Sequence, residues 1–152
     1  MDKNILGTNL VAQVALVVND IEKTSQMYAD FFGVEKPGYV VTGTYEETKT
    51  EFRGSPSKAR AKLAFFHVGP NLTIELIEPD HEPSTWREEL DKNGEGFHHI
   101  AFRIENTKEK LMVLDRNNMP MIQYGSNSGG SYAYVDAKKD LKVILELLEK
   151  KK

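Results

Sequence analysis

Twelve residues near the N-terminus, AQVALVVNDIEK (12–23), are echoed 86 positions later by HHIAFRIENTKE (98–109). The alignment lays strand over strand and helix cap over helix cap. A second echo, IELIE (74–78) over LELLE (145–149), is offset by only 71. The chain therefore reads as an internal duplication whose second copy is shorter, mostly in its middle strands. Two βαβββ modules side by side give an α+β fold: one curved mixed sheet of about eight strands, with helices on its outer face.

Local signals place the elements. LVAQVALVV (10–18) is a valine-rich run that reads as a largely buried strand ending at Asn19-Asp20. Asp20 can cap a following helix, in which Met27, Tyr28, Phe31 and Phe32 recur at helical spacing before Gly33 stops it. One or two strands are expected within 38–53. A hairpin is expected at 61–68 and 72–78 around Gly69-Pro70-Asn71. Proline, charge and glycine then mark a connector, 80–96, with a short helix at Thr85–Asp91. The pattern resumes with a strand at 97–104, a helix near 107–117 and strands at 120–124, 131–135 and 143–149. Residues 1–152 are thus expected to form a single domain, with module 1 at 10–79 and module 2 at 97–149. At 152 residues and 39% hydrophobic content, the chain is long enough for that core.

Alternation along the strands sorts functional from structural side chains. If Val14, Leu16 and Val18 face the helix, Gln13 lies on the opposite, concave face. If Ile100, Phe102 and Ile104 do the same in the second copy, His99 joins it, and His98 turns to the core side with a hydrogen bond at the strand entrance. Glu75 and Glu146 are isolated carboxylates inside the apolar strands LTIELIE and VILELLE. A buried charge needs a cation, a hydrogen-bond network or a shifted pKa. If pseudo-twofold packing joins these strands, Gln13, Glu75, His99 and Glu146 form a site for a divalent cation such as Zn²⁺, Ni²⁺, Co²⁺ or Mn²⁺. The chain has no cysteine, so disulfides and thiolate ligands are excluded.

Composition narrows the partners. Lys+Arg 20 against Asp+Glu 23 gives a formal net charge of −3, with no electrostatic footprint for nucleic acid or an anionic membrane. A small-molecule substrate and a cytoplasmic location are the expectations. Five cations, Lys49, Arg53, Lys58, Arg60 and Lys62, lie close in sequence. They read either as a phosphate anchor or, preferably, as a solvated charge run. Phe65, Phe66, Tyr132 and Tyr134 are candidates for the cavity wall or the core, while Glu78 and Glu149 are expected in solvent at strand ends.

VAQVALVVNDIEKTSQMYADFFG, LTIELIEP, KNGEGFHHIAFRI and VILELLE resemble the vicinal-oxygen-chelate superfamily over roughly residues 10–149, and IELIEP followed by GEGFHHIAF is most similar to its methylmalonyl-CoA epimerases. The resemblance places Gln13, Glu75, His99 and Glu146 on the family's four metal-ligand positions. It implies a metal-dependent isomerase that removes a proton alpha to a thioester carbonyl, with Glu146 as ligand and base and an acyl-CoA substrate. Epimerases usually carry histidine where this chain has Gln13, and that substitution is similar to some glyoxalase I enzymes. A glyoxalase I-type lactoylglutathione lyase acting on a glutathione adduct is therefore the alternative. A ligand-sequestering protein of the bleomycin-resistance type is a third reading. A second base is sought among Glu46, Glu47 and Glu51, and a homodimer is implied.

Overall fold

The computed structural model describes residues 1–152. Its elements run β1 (Gln13–Val17), α1 (Ile21–Phe32), β2 (Val40–Val41), α2 (Tyr45–Thr48), β3 (Glu51–Phe52), β4 (Ser55–Pro56), β5 (Ala61–Val68), β6 (Leu72–Pro79), α3 (Thr85–Asn93), β7 (Gly96–Arg103), α4 (Thr107–Arg116), β8 (Met121–Asn127), β9 (Gly130–Asp136), α5 (Lys138–Leu141) and β10 (Ile144–Lys150). All ten strands share one curled sheet in the order β2-β5-β6-β1-β7-β10-β9-β8-β3-β4. The α+β fold of one curved mixed sheet holds, with ten strands in place of the expected eight.

Sequence periodicity explains the regular parts. α1 is capped by Asp20, whose carboxylate accepts from Lys23 N at 3.0 Å, and stopped by Gly33 in the left-handed region at φ 67. On the convex face α1 packs over Val18, Ala64, Phe66 and Leu76, while α4 packs over Phe102, Ile104, Val135 and Leu147. The concave face has its own apolar cluster, in which Trp86 and Leu90 of α3 meet Ala15, Val17, Ile77 and Ile144. Phe66 thus belongs to the α1 side; Phe65 faces the other way and lines the cavity.

The duplicated halves meet at the sheet's centre. β1 and β7 pair antiparallel, and each has the last strand of its own module, β6 or β10, parallel on its outer side. Departures from the expected elements concentrate at 38–60, where two-residue strands and the short α2 replace regular strands. There β3 leaves its own module and pairs with β8, Glu51 opposite Tyr124. This strap extends the far edge of the sheet beyond β8, and Thr48 and Thr50 within it line the cavity.

The helix starts carry a symmetry that the sequence reading missed. Glu78 accepts from Ile21 N at 3.1 Å, and Glu149 accepts from Asn106 N at 2.7 Å and Thr107 N at 3.0 Å. Both were expected in solvent; each instead satisfies orphan amides at the first turn of its module's helix, where negative charge is favoured. Asn106, aligned with Asp20 as a cap, sits at φ 58 and makes no side-chain cap bond. Glu149 takes over that task.

Candidate metal centre

The register of the four central strands assembles the site. Glu75 and His99 both stand opposite Ala15, while Gln13 and Glu146 both stand opposite Ala101. Residues opposite one another or two apart on one strand share a face, so all four polar side chains project into the concavity around two alanines. Ala15 and Ala101 are fully buried and are themselves equivalent in the repeat. Their small size leaves room for the polar groups to converge; a bulky residue there would fill the centre.

Convergence is close. One donor atom each from Glu75, His99 and Glu146 lies within 4.8 Å of the other two. His99 Nε2 is 2.8 Å from Glu146 Oε2, yet it has no partner in hydrogen-bonding geometry. With its amide turned so that nitrogen faces the carboxylates, Gln13 donates to Glu75 Oε2 at 3.0 Å and Glu146 Oε2 at 3.3 Å. Turned the other way, its oxygen joins two carboxylates and an imidazole lone pair around one point. That second set is costly without a positive charge and natural with one.

Burial sets the protonation states. It pushes the Glu146 carboxyl up to about 8, opposed by a hydrogen bond from the Tyr134 hydroxyl and by Arg103. Glu75 is raised well above its ordinary value by burial first and by the Glu146 charge second. Burial drives His99 down to about 3, so its ring is neutral and able to offer a lone pair. Two carboxylates, one amide and one neutral imidazole, with an orphaned Nε2 among them, could hold a divalent cation.

A cavity of about 700 Å³ opens beside these groups. Gln13, Glu75 and Glu146 reach its surface, and His99 lies fully buried behind them. Leu63, Phe65, Leu148, Tyr132 and Tyr134 form much of its apolar wall, and Trp86 of α3 adds to it. Trp86 Nε1 donates to Tyr134 OH at 2.9 Å, and Gln123 Nε2 donates to Tyr132 OH at 3.1 Å. The sequence offered a hint of the α3 contribution: a lone tryptophan followed at i+4 by Leu90 inside an otherwise polar connector. Thr48 and Thr50, joined at 2.8 Å, line the cavity from the strap.

Of the three carboxylates considered as a second base, Glu47 lines the cavity and Glu46 and Glu51 do not. Its Oε2 accepts from Thr44 N at 2.8 Å. The five clustered cations stay outside the cavity wall, and three are engaged elsewhere: Arg53 with Glu88, Arg60 with the Thr42 carbonyl and Lys62 with Glu78.

The expected separation of the two histidines does not hold. Ala15 faces His99 but Leu16 faces Phe97, so His98 is an extra residue in a β-bulge. Alternation fails there, and His98 turns inward beside His99 rather than outward to the helices. The rings meet edge to face at 5.0 Å between centroids, with His98 also 5.3 Å from Tyr134.

The model of the glyoxalase/bleomycin resistance protein/dioxygenase superfamily matches residues 12–135, and the chain belongs to that superfamily. It is 28% identical over 147 residues to the uncharacterized protein YqjC of Bacillus subtilis (strain 168), covering 94% of both chains. In fold it is similar to methylmalonyl-CoA epimerase from Mycobacterium tuberculosis, with a TM-score of 0.66, 18% identity and coverage of 100% of this chain and 93% of that one. The Streptomyces coelicolor methylmalonyl-CoA epimerase in complex with 2-nitronate-propionyl-CoA gives a TM-score of 0.66 at 20% identity, over 93% and 97% of the two chains. No helix of this chain is long and apolar enough to cross a membrane.

Proposed function

We propose that this chain is a divalent-metal-dependent isomerase that abstracts a proton alpha to the carbonyl of an acyl thioester, in the manner of a methylmalonyl-CoA epimerase. The observation that carries the reading is the convergence of Gln13, Glu75, His99 and Glu146 beside a cavity large enough for a small acyl group. A bound divalent ion supplies Lewis acidity that polarises the substrate carbonyl and stabilises negative charge on its oxygen as the adjacent proton leaves.

The protein supplies the rest. Glu146 is the base: its carboxyl reaches the cavity surface, where the Tyr134 hydroxyl bonds it, and so lies within reach of a proton on a bound acyl group. Tyr134 steadies it through its hydroxyl, itself oriented by Trp86. The aromatic wall excludes water from the reacting carbon. Glu47, which lines the same cavity from the strap, is the proposed base for the opposite face of that carbon. Both epimerase neighbours, one of them holding an acyl-CoA analogue, support an acyl-CoA substrate.

A wash-in assay tests the proposal: methylmalonyl-CoA and, separately, the hemithioacetal of methylglyoxal and glutathione are incubated in D₂O with metal-loaded protein. Deuterium entry at the α-carbon of the thioester, lost in Glu146→Gln, is the expected result. Turnover of the hemithioacetal instead replaces the epimerase reading with the lyase one. Failure to take up any divalent ion overturns both and leaves ligand sequestration.

A further inference from the structure

The bulge at His98 gives up regular pairing in a central strand and brings His98 against its neighbour, with His98 Nδ1 2.7 Å from His99 Nδ1. That distance requires one hydrogen between the two nitrogens. Both rings are buried, His98 2% and His99 0% exposed, and burial disfavours the doubly protonated imidazolium. Each ring therefore carries a single hydrogen, and the shared one can belong to either. If it sat on His98, His99 would carry its own on Nε2, facing Glu146 at 2.8 Å but out of hydrogen-bonding line. If it sits on His99, Nε2 is a bare lone pair aimed among the carboxylates. His98 Nε2 and His99 Nε2 are both buried without a hydrogen-bond partner, and only the second arrangement leaves His99 Nε2 free to hold a cation among the carboxylates.

We propose that His98 is a positioning residue: its bare Nδ1 accepts the Nδ1–H of His99 and locks His99 in the tautomer that presents Nε2 to the cation site. The inference rests on the metal reading given above and deepens it. An imidazole ligand needs a partner on its other nitrogen to fix both tautomer and ring orientation, a role commonly filled by a carboxylate or a carbonyl. Here the neighbouring residue fills it, and it reaches the interior because the bulge breaks alternation. Among groups lining the buried face of His99, Tyr134 packs at 4.9 Å between ring centroids without taking either nitrogen.

The test uses the whole chain, ¹⁵N-labelled at histidine and stripped of metal. Long-range ¹H–¹⁵N correlation should report His99 as Nδ1–H with a bare Nε2, and His98 with a bare Nδ1; His99 observed as Nε2–H overturns the proposal. In Zn²⁺ titrations against a competing chelator, His98→Leu should bind about 10- to 100-fold more weakly. His98→Asn, whose side-chain oxygen can accept from about the place of Nδ1, should recover most of that loss. Wild-type affinity in His98→Leu overturns the proposal. A wild-type protein that takes up no divalent ion sinks the metal reading by itself, and the tautomer in the same metal-free sample still decides the histidine pairing.

Discussion

Glu146→Gln should make the metal-free protein more stable while abolishing the proposed α-proton exchange. Glu146 is 4% exposed, and its folded-state pKa of about 8 stands against an ordinary value of 4.5. Because the folded value is the higher one, the folded state holds the proton more tightly. Its stabilising contribution is fully present below about pH 4.5 and is lost as pH rises through 8. Each pH unit in that window costs about 1.4 kcal/mol, so at pH 7 the carboxyl penalises folding by about 3 kcal/mol. Glutamine cannot ionise, keeps an oxygen for the Tyr134 hydroxyl and relieves Glu75 of a neighbouring charge. Urea unfolding in chelator, followed by circular dichroism from about pH 4 to 8.5, should give equal stabilities at the acid end. The gap should widen to about 3 kcal/mol at pH 7 and level off just above pH 8. Zn²⁺ at a thousandfold over its Kd should reverse the order, since it stabilises only the protein that binds it, by about 4.1 kcal/mol. A variant less stable than wild type in chelator at pH 7, or a gap independent of pH, would refute the electrostatic account.

Three further substitutions probe the frame. Trp86→Phe removes the donor to Tyr134 OH from a side chain 3% exposed, and should cost roughly 1–2 kcal/mol by chemical denaturation. In the β8–β9 turn, a Cβ at Gly130 would stand 1.9 Å from the Glu149 carbonyl oxygen, whereas one at Gly129 meets nothing closer than 3.6 Å. Gly130→Ala should therefore lower stability by more than about 2 kcal/mol and Gly129→Ala by less than about 0.5, read from melting curves. Arg53 reaches Glu88 with two bonds, 3.1 and 2.6 Å, but both side chains are about half exposed. A double-mutant cycle on Arg53→Ala and Glu88→Ala should find a coupling below about 1 kcal/mol.

Much of the site was legible because it rests on the two simplest regularities in the chain. The 86-residue offset equates Gln13 with His99, and strand alternation turns both inward with Glu75 and Glu146. His98 escaped the same logic because a bulge is one residue of irregularity set by its cross-strand partner, and nothing in GEGFHHIAF marks it. Glu78 and Glu149 escaped because their partners are helix-start amides 57 and 43 residues away, although the offset of 71 equates the two. The 38–60 segment was opaque for a different reason. Its strands are only two residues long, too short for a periodicity to show, and β2 and β3 are held by β5 and β8, more distant in sequence, with only β4 paired locally to β3.

That strap has a consequence for the order in which the protein can be made. During synthesis the first module is complete before β7 and β8 exist, so one edge of β1 and the strand β3 lack their partners. Until those strands are synthesised, the first half carries an open sheet edge and half of a polar centre, both hazards to a nascent chain. The second half covers the edge of β1, brings His99 and Glu146 to Gln13 and Glu75, and gives β3 its partner, so neither half alone contains the four polar groups.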